Sequence, residues 1–532
     1  MNISVKASGP ALEAVNETIA LLVADKVASR IAAKDFTLWG KEAESESAIR
    51  LGWVTSATDS LELVDGILAL RDEFRAKGIT RFVLCGMGGS SLAPEVITNK
   101  YKLDLVVLDS TDPDQVREVV GDSIETTAII VSSKSGSTVE TDSQKRIFEQ
   151  AFIAAGINKS ERIVIVTDPG SPMEDAAKAD GYRIFNADST VGGRYSALTA
   201  FGLVPAGLAG ADIKGLLLEA TEVGAVLASD VESNPGLVLG AAMARTSNGS
   251  SYKDKLGLIA DSATLPGFGD WAEQLIAEST GKQSKGVLPV VLAETSHETV
   301  ANLSDVLLAY VSGGKANVNI DGLSVSAPLG AQFLIWEFAT VVASRLLGIN
   351  PFDQPDVESA KIAARGMLEQ RAASLPALYV DGSIEVRAEE LDLVGVTDIE
   401  LAIKKLFSEL AADGYVAIHA YMNRDAGFDV EKLRESVAKN TNRPTTFGWA
   451  PRFLHSTGQY HKGGPRQGVF LQLLAKAQED LAVPGREFTF GELIASQAAG
   501  DAKVLADLGR PVLTLTLNNP AEDFATILRA IG

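Results

Sequence analysis

Cysteine is almost absent. Cys85 is the only one, so the chain can close no internal disulfide, and in its apolar, strand-like surroundings it reads as a packed core thiol rather than a nucleophile. Long apolar runs are lacking too. No stretch reaches the length of a membrane-spanning helix, and Met1-Asn2-Ile3-Ser4-Val5-Lys6 has no apolar leader core, so the expected location is the cytoplasm. Positive charge is in deficit, with 48 Lys and Arg against 69 Asp and Glu and a net charge of −21. Such a field repels phosphate polymers and anionic membranes, which excludes a general nucleic-acid or membrane binder. A small anionic substrate then needs a local pocket rich in N–H groups or cations. Histidine is scarce, at positions 297, 419, 455 and 461, and any acid–base imidazole must be one of these.

What remains is globular in composition, 46% hydrophobic and 22% charged, without a low-complexity tract. At 532 residues it exceeds what one core accommodates. Apolar residues at helical spacing predict a helix over 11–31, with further helical stretches to about Lys77. From Thr80 the pattern alternates. Strand-like runs at 81–84, 103–108, 128–131, 162–166 and 182–185 are separated by helical segments. That rhythm predicts an α/β fold with a doubly wound parallel sheet and a ligand site at the carboxyl ends of its strands. After a helical region to Arg245, a second block has strands at 256–260, 286–291, 306–311 and 323–325, then a strong helix over 331–347. A third block after Lys361 has strand candidates at 415–420 and 512–517.

The chemistry-bearing residues gather at the turns. Ser133-Lys134-Ser135-Gly136-Ser137-Thr138 lies between an apolar strand and a helix start. Its hydroxyls, free N–H groups and helix dipole suit an anion, although Ser137 or Thr138 ahead of Glu140 and Thr141 also reads as a plain helix cap. Lys134 adds charge there or is a solvated loop lysine. Gly86-Met87-Gly88-Gly89-Ser90-Ser91 follows a strand, and Asp109 ends the next one, as in a dinucleotide fold, but Ser91 stands where the third fingerprint glycine belongs. In Gly192-Gly193-Arg194-Tyr195-Ser196, two glycines allow close backbone approach beside an arginine that can stabilise an oxyanion but cannot act as a base. Gln274 and Glu278 are four apart and share a helix face, where partly apolar surroundings suit a general base and solvent exposure is the alternative. His455 and His461 flank Ser456-Thr457-Gly458-Gln459 in a polar, glycine-rich loop; His419 reads as packed in a strand and His297 as solvated.

Five of these motifs, GMGGSSLAP (86–94), SKSGSTVET (133–141), GGRYS (192–196), ESTGK (278–282) and NPFDQPDVESAK (350–361), stand in the order found in phosphoglucose isomerases, and the chain resembles that family over 35–361. With AKDFTLWG at 33–40 and the long tail after Lys361, it looks most like the isomerase portion of bacterial fused transaldolase/phosphoglucose isomerases, with no transaldolase half present. The resemblance implies an N-terminal helical segment (1–60), two sugar-isomerase (SIS) domains (61–215 and 216–361) and a C-terminal α/β extension (362–532). It implies reversible interconversion of glucose 6-phosphate and fructose 6-phosphate, without metal or cofactor, in a homodimer. The alternatives are a dual phosphoglucose/phosphomannose isomerase and a non-catalytic SIS regulator that binds sugar phosphates.

By the same resemblance, Ser90, Ser133, Ser135 and Thr138 hold the phosphate with backbone N–H groups of the same loop, and Gly89, Lys134 and Gly193 are further substrate-binding residues. Glu278 moves the proton between C2 and C1, Arg194 stabilises the cis-enediolate, and Gln274 and Gln354 bind sugar hydroxyls. Lys361 and a histidine open the ring. Two departures from the family pattern stand out. Asp356 replaces the usual glycine or alanine before Val357-Glu358, and the family's histidine segment is missing between 282 and 361, where His297 is the only histidine. The nearest match, 456–461, lies beyond Lys361, so His461 is the expected ring-opening group, with His455 the second choice.

Overall fold

The computed structural model describes residues 2–246, 253–314, 321–370 and 376–532, with several side chains on the helix Pro355–Gln370 outside that description. A short strand, β1 (Ser4–Ala7), comes first. The helical stretch expected over 11–31 is two helices, Pro10–Ala24 and Val27–Ala32, broken where Lys26 turns left-handed at φ 54°. Then β2 (Arg81–Gly86), β3 (Val106–Leu108), β4 (Thr127–Ser132), β5 (Ile163–Thr167) and β6 (Arg183–Asn186) form an all-parallel sheet in the order β3-β2-β4-β5-β6. Every residue of β4 is buried, as its unbroken apolar run requires when helices cover both faces. The strand order reverses between β2 and β4. The turns after those two strands therefore diverge and open a crevice at their carboxyl ends.

A second sheet contains β7 (Lys255–Ala260), β8 (Leu288–Val291), β9 (Val306–Ser312) and β10 (Gly322–Ser326), in the order β1-β10-β9-β7-β8. The N-terminal β1 is its antiparallel edge, with Val5 opposite Val325. Between β7 and β8 runs the helix Phe268–Thr280, in which every residue except Asp270 is buried. It packs on the helix Leu329–Leu347, with the Trp271 and Phe333 rings edge to face at 4.6 Å. Burial on nearly all sides carries Gln274 and Glu278 into the interior.

The third sheet holds β11 (Tyr379–Asp381), β12 (Ile384–Glu389), β13 (Tyr415–Tyr421), β14 (Thr445–Trp449), β15 (Gly468–Ala475) and β16 (Val512–Leu517), in the order β11-β12-β16-β15-β13-β14. β13 to β16 are mutually parallel, and β12 runs antiparallel to β16. One face packs Tyr415, Phe470 and Val512 against Ile259, Leu288 and Val290 of the second sheet. Val483 and Phe490 enter the core of the first sheet beside Cys85 and Phe148. This double docking brings the turn after β14, residues 452–463, over the crevice of the first sheet. No helix among the described residues is long and apolar enough to cross a membrane.

Candidate active site

The turn after β4 is crowded with hydroxyl groups. Ser133 Oγ and Thr138 Oγ1 are 3.1 Å apart, Gly136 N–H donates to Ser133 Oγ at 3.2 Å, and the Ser135 and Ser137 hydroxyls meet at 3.0 Å. Gly136 has φ +69°, and a Cβ there would sit 2.7 Å from Met173 Cβ, so only glycine makes this turn. The helix Val139–Ala154 begins behind it, and the Thr138 side chain accepts no bond from its first turn. The hydroxyl is therefore not spent on capping, and it stands at the positive end of that helix. Lys134 points elsewhere. Its Nζ lies 2.6 Å from Asp168 Oδ2, and burial lowers its pKa.

Arg194 and Glu278 meet in the interior, 3% and 5% exposed. Arg194 Nη1 donates to Glu278 Oε2 at 3.3 Å and to Gln354 Oε1 at 2.7 Å. Nη2 donates to the carbonyls of Pro351 and Asp353, and Nε to Ser279 Oγ. Five bonds fix the guanidinium plane, an arrangement lysine cannot reproduce. Lys282, on the turn beyond Glu278, holds the same loop from below, donating to the carbonyls of Asn350 and Asp353 and to Asp353 Oδ1. Burial, with Arg194 adding repulsion, brings the Lys282 pKa down to about 8.

The glycines after β2 serve packing. A Cβ on Gly89 would stand 2.1 Å from Gly193 O, and one on Gly88 would stand 2.4 Å from His455 O. The space a dinucleotide pyrophosphate would approach is filled by these two turns. Asp109 is likewise committed to buried ion pairs with Arg452 and Arg424 rather than to a ribose. Ser90 is buried in the same turn, its N–H donating to Met87 O. Gln274 Nε2 donates to His455 O at 2.7 Å, while its buried Oε1 has no partner among the described residues.

A cavity of about 380 Å³ gathers these parts, within the range of small-ligand sites. Ser135, Thr138, Gln354 and His455 line it. Ser133 stands one bond behind Thr138, and Arg194 one bond behind Gln354. His455 Nε2 is 3.0 Å from Glu140 Oε1, which also accepts from Gln497 Nε2 at 2.7 Å. The helix Pro355–Gln370 forms one wall through Val357 and Arg365. Lys361 lies on that helix, but its side chain is outside the described residues.

His461, the expected ring-opening group, lies elsewhere. It does not line this cavity but is buried, its Nδ1 3.1 Å from His419 Nε2 and its ring stacked on Tyr415. His419 Nδ1 in turn stands 3.2 Å from Asp501, which also holds Lys462. Burial pushes the pKa of both imidazoles down, so this pair is neutral near pH 7. The motif reading left out Arg365 and Gln497 on the lining, where Ser137 and Glu140 of the serine stretch also stand. Arg365 was within reach of it, since it follows Lys361 by four and shares its helix face.

Doubly wound sheets with a hydroxyl turn at the switch point give the chain an α/β architecture consistent with the SIS fold. Two of the solved structures that share that fold bear comparison. They are a hypothetical protein of Thermus thermophilus (TM-score 0.58, 23% identity, covering 70% of this chain and 100% of that one) and a glucose-6-phosphate isomerase of Chlamydia trachomatis (TM-score 0.52, 21% identity, 62% and 75%). A glucose-6-phosphate isomerase of Gloeothece citriformis is 29% identical over 399 residues, spanning 64% of this chain and 75% of its own length. Residues 72–300 match phosphoglucose isomerase as a family.

Proposed function

We propose that the chain is a glucose-6-phosphate isomerase, an aldose–ketose isomerase of glycolysis and gluconeogenesis. The observation that carries the reading is the buried Arg194–Glu278 pair behind the serine turn at the switch point. The turn 133–138 and its helix end hold the phosphate, which sets the register of the sugar. After ring opening, the Glu278 carboxylate takes the proton from C2, and the electrons pass to the C1 carbonyl oxygen as the cis-enediolate forms. Arg194 stabilises that oxyanion; the C2 hydroxyl proton then passes to O1, C2–O becomes the ketose carbonyl, and Glu278 returns its proton to C1. A base that must reach carbon is best buried, and Glu278 is. For ring opening the reading assigns His455, oriented by Glu140, in place of His461, with Lys361 as its partner. A homodimer, a cytoplasmic location and kinship with the isomerase portion of fused transaldolase/phosphoglucose isomerases belong to the same reading, the last supported by residues 33–40 and the length of chain beyond Lys361.

A coupled assay with glucose 6-phosphate tests it. Turnover is expected in the parent protein. Glu278→Gln should lower kcat at least about 100-fold with KM changed only a few-fold, since a general base contributes roughly 10²–10⁴. Equal turnover of mannose 6-phosphate would make the enzyme dual. Binding of sugar phosphates without turnover in the parent would make it a regulator.

A further inference from the structure

Gln459 has no role in the chemistry above, yet it is 0% exposed and uses its whole carboxamide. Oε1 accepts from the backbone N–H groups of Asp356 at 3.0 Å and Val357 at 3.2 Å, both in the first turn of the helix Pro355–Gln370. Nε2 donates to Gly281 O at 2.9 Å and to Asp356 Oδ2 at 2.6 Å. Gly281 is the C-cap of the helix Phe268–Thr280, just beyond Glu278. Gln459 itself lies on the short helix Gly458–Gly463, which follows the turn that carries His455.

One side chain thus joins the end of the helix that carries Glu278, the start of the helix that carries Lys361, and the segment that carries His455. Only a carboxamide offers both an acceptor for two N–H groups and two donors for a carbonyl and a carboxylate. Neighbouring glycines leave room for it. A Cβ on Gly463 would lie 2.2 Å from Asp356 Oδ2 and 2.8 Å from Gln459 Nε2, and one on Gly281 would lie 2.4 Å from Tyr460 Cα. Asp356, which departs from the family pattern, is one jaw of this clamp.

We infer that Gln459, with Asp356, is a positioning residue that holds the base helix, the lysine helix and the histidine turn in mutual register. The inference rests on the isomerase reading, but part of its test does not. Hydrogen exchange is measured on the peptide covering 354–361, and kcat and KM are measured with glucose 6-phosphate. Gln459→Ala should lose exchange protection at the start of the helix Pro355–Gln370. Its kcat should fall about tenfold with KM within twofold, because the clamp touches no group of the phosphate turn and small misplacements act on the chemical step.

Asp356→Ala should act in the same direction, and the double variant should be no worse than Gln459→Ala alone, as expected of residues in one network. Leu433→Ala, in the core on the far side of the third sheet, should lower stability without either change. Protection and kcat both retained in folded Gln459→Ala and Asp356→Ala would overturn the inference. If Gln459→Ala does not fold, Asp356→Ala decides by the same two readouts. If the parent turns over no phosphohexose, the isomerase reading fails, and exchange at 354–361 still decides whether the clamp exists.

Discussion

His455 and His461 belong to one short segment, but the first faces the cavity and the second is packed among aromatic rings. The difference is rotational. His461 sits on the helix Gly458–Gly463, whose inner face meets Tyr415 and Phe470, whereas His455 ends the preceding turn beside Glu140. Matching the letters of the motif favours His461, because spacing along a chain says nothing of which way a single helical turn points. His455→Ala should reduce kcat for ring-closed glucose 6-phosphate by about 10- to 100-fold. It should spare the rate on an acyclic tetrose phosphate, which has no ring to open. His461→Ala should leave both rates within a few-fold and cost about 2–3 kcal/mol of stability through the cavity it leaves, read by denaturant unfolding. Equal losses from the two variants on the ring-closed sugar would return the role to His461.

Among the elements, the helix Phe268–Thr280 and the loop 350–353 work as one unit, joined by Arg194 from above and Lys282 from below. Burial holds the Lys282 pKa near 8 against an ordinary value of 10.5. A lysine with a lowered folded pKa binds its proton less tightly folded than unfolded. Keeping it charged therefore costs stability below about pH 8, and that cost is relieved as pH rises towards 10.5. Relative to Lys282→Met, the parent should gain roughly 2 kcal/mol between about pH 7 and pH 9.5 in paired unfolding curves. A flat difference between the two proteins would mean that Lys282 is not strained in this way.

Across the whole molecule, the third sheet supplies what the first two lack. Its Arg452 enters the first sheet and pairs with Asp109 at the end of β3 and with Glu95 at 2.5 Å, and Arg424 stands 3.4 Å from Glu95. These pairs anchor the turn that delivers His455 to the crevice. Removing one partner of a buried pair strands the other charges, so Arg452→Met should cost about 3–5 kcal/mol. It should also lower kcat, because the His455 turn loses its anchor. Retained stability together with retained turnover would show that the docking rests on apolar contacts alone.

The sequence by itself determined the strand–turn–helix units of the first two sheets and the short motifs at their turns. Those depend on local periodicity and on residue types that a turn demands, such as Gly136 at positive φ. It also brought Arg194, Glu278 and the serine turn to notice, because each motif is contiguous. Left undetermined were β1, whose partner β10 lies far along the chain, and β11, β12, β14 and β15, whose pairing is set by neighbours rather than by pattern. Only the tertiary structure decided that Asp109 faces an arginine, that Lys134 turns away to Asp168, that Glu278 is buried rather than solvated, and that His455 rather than His461 reaches the cavity. In each case the deciding partner comes from a distant element, and burial against it outweighs the local preference that a sequence can display.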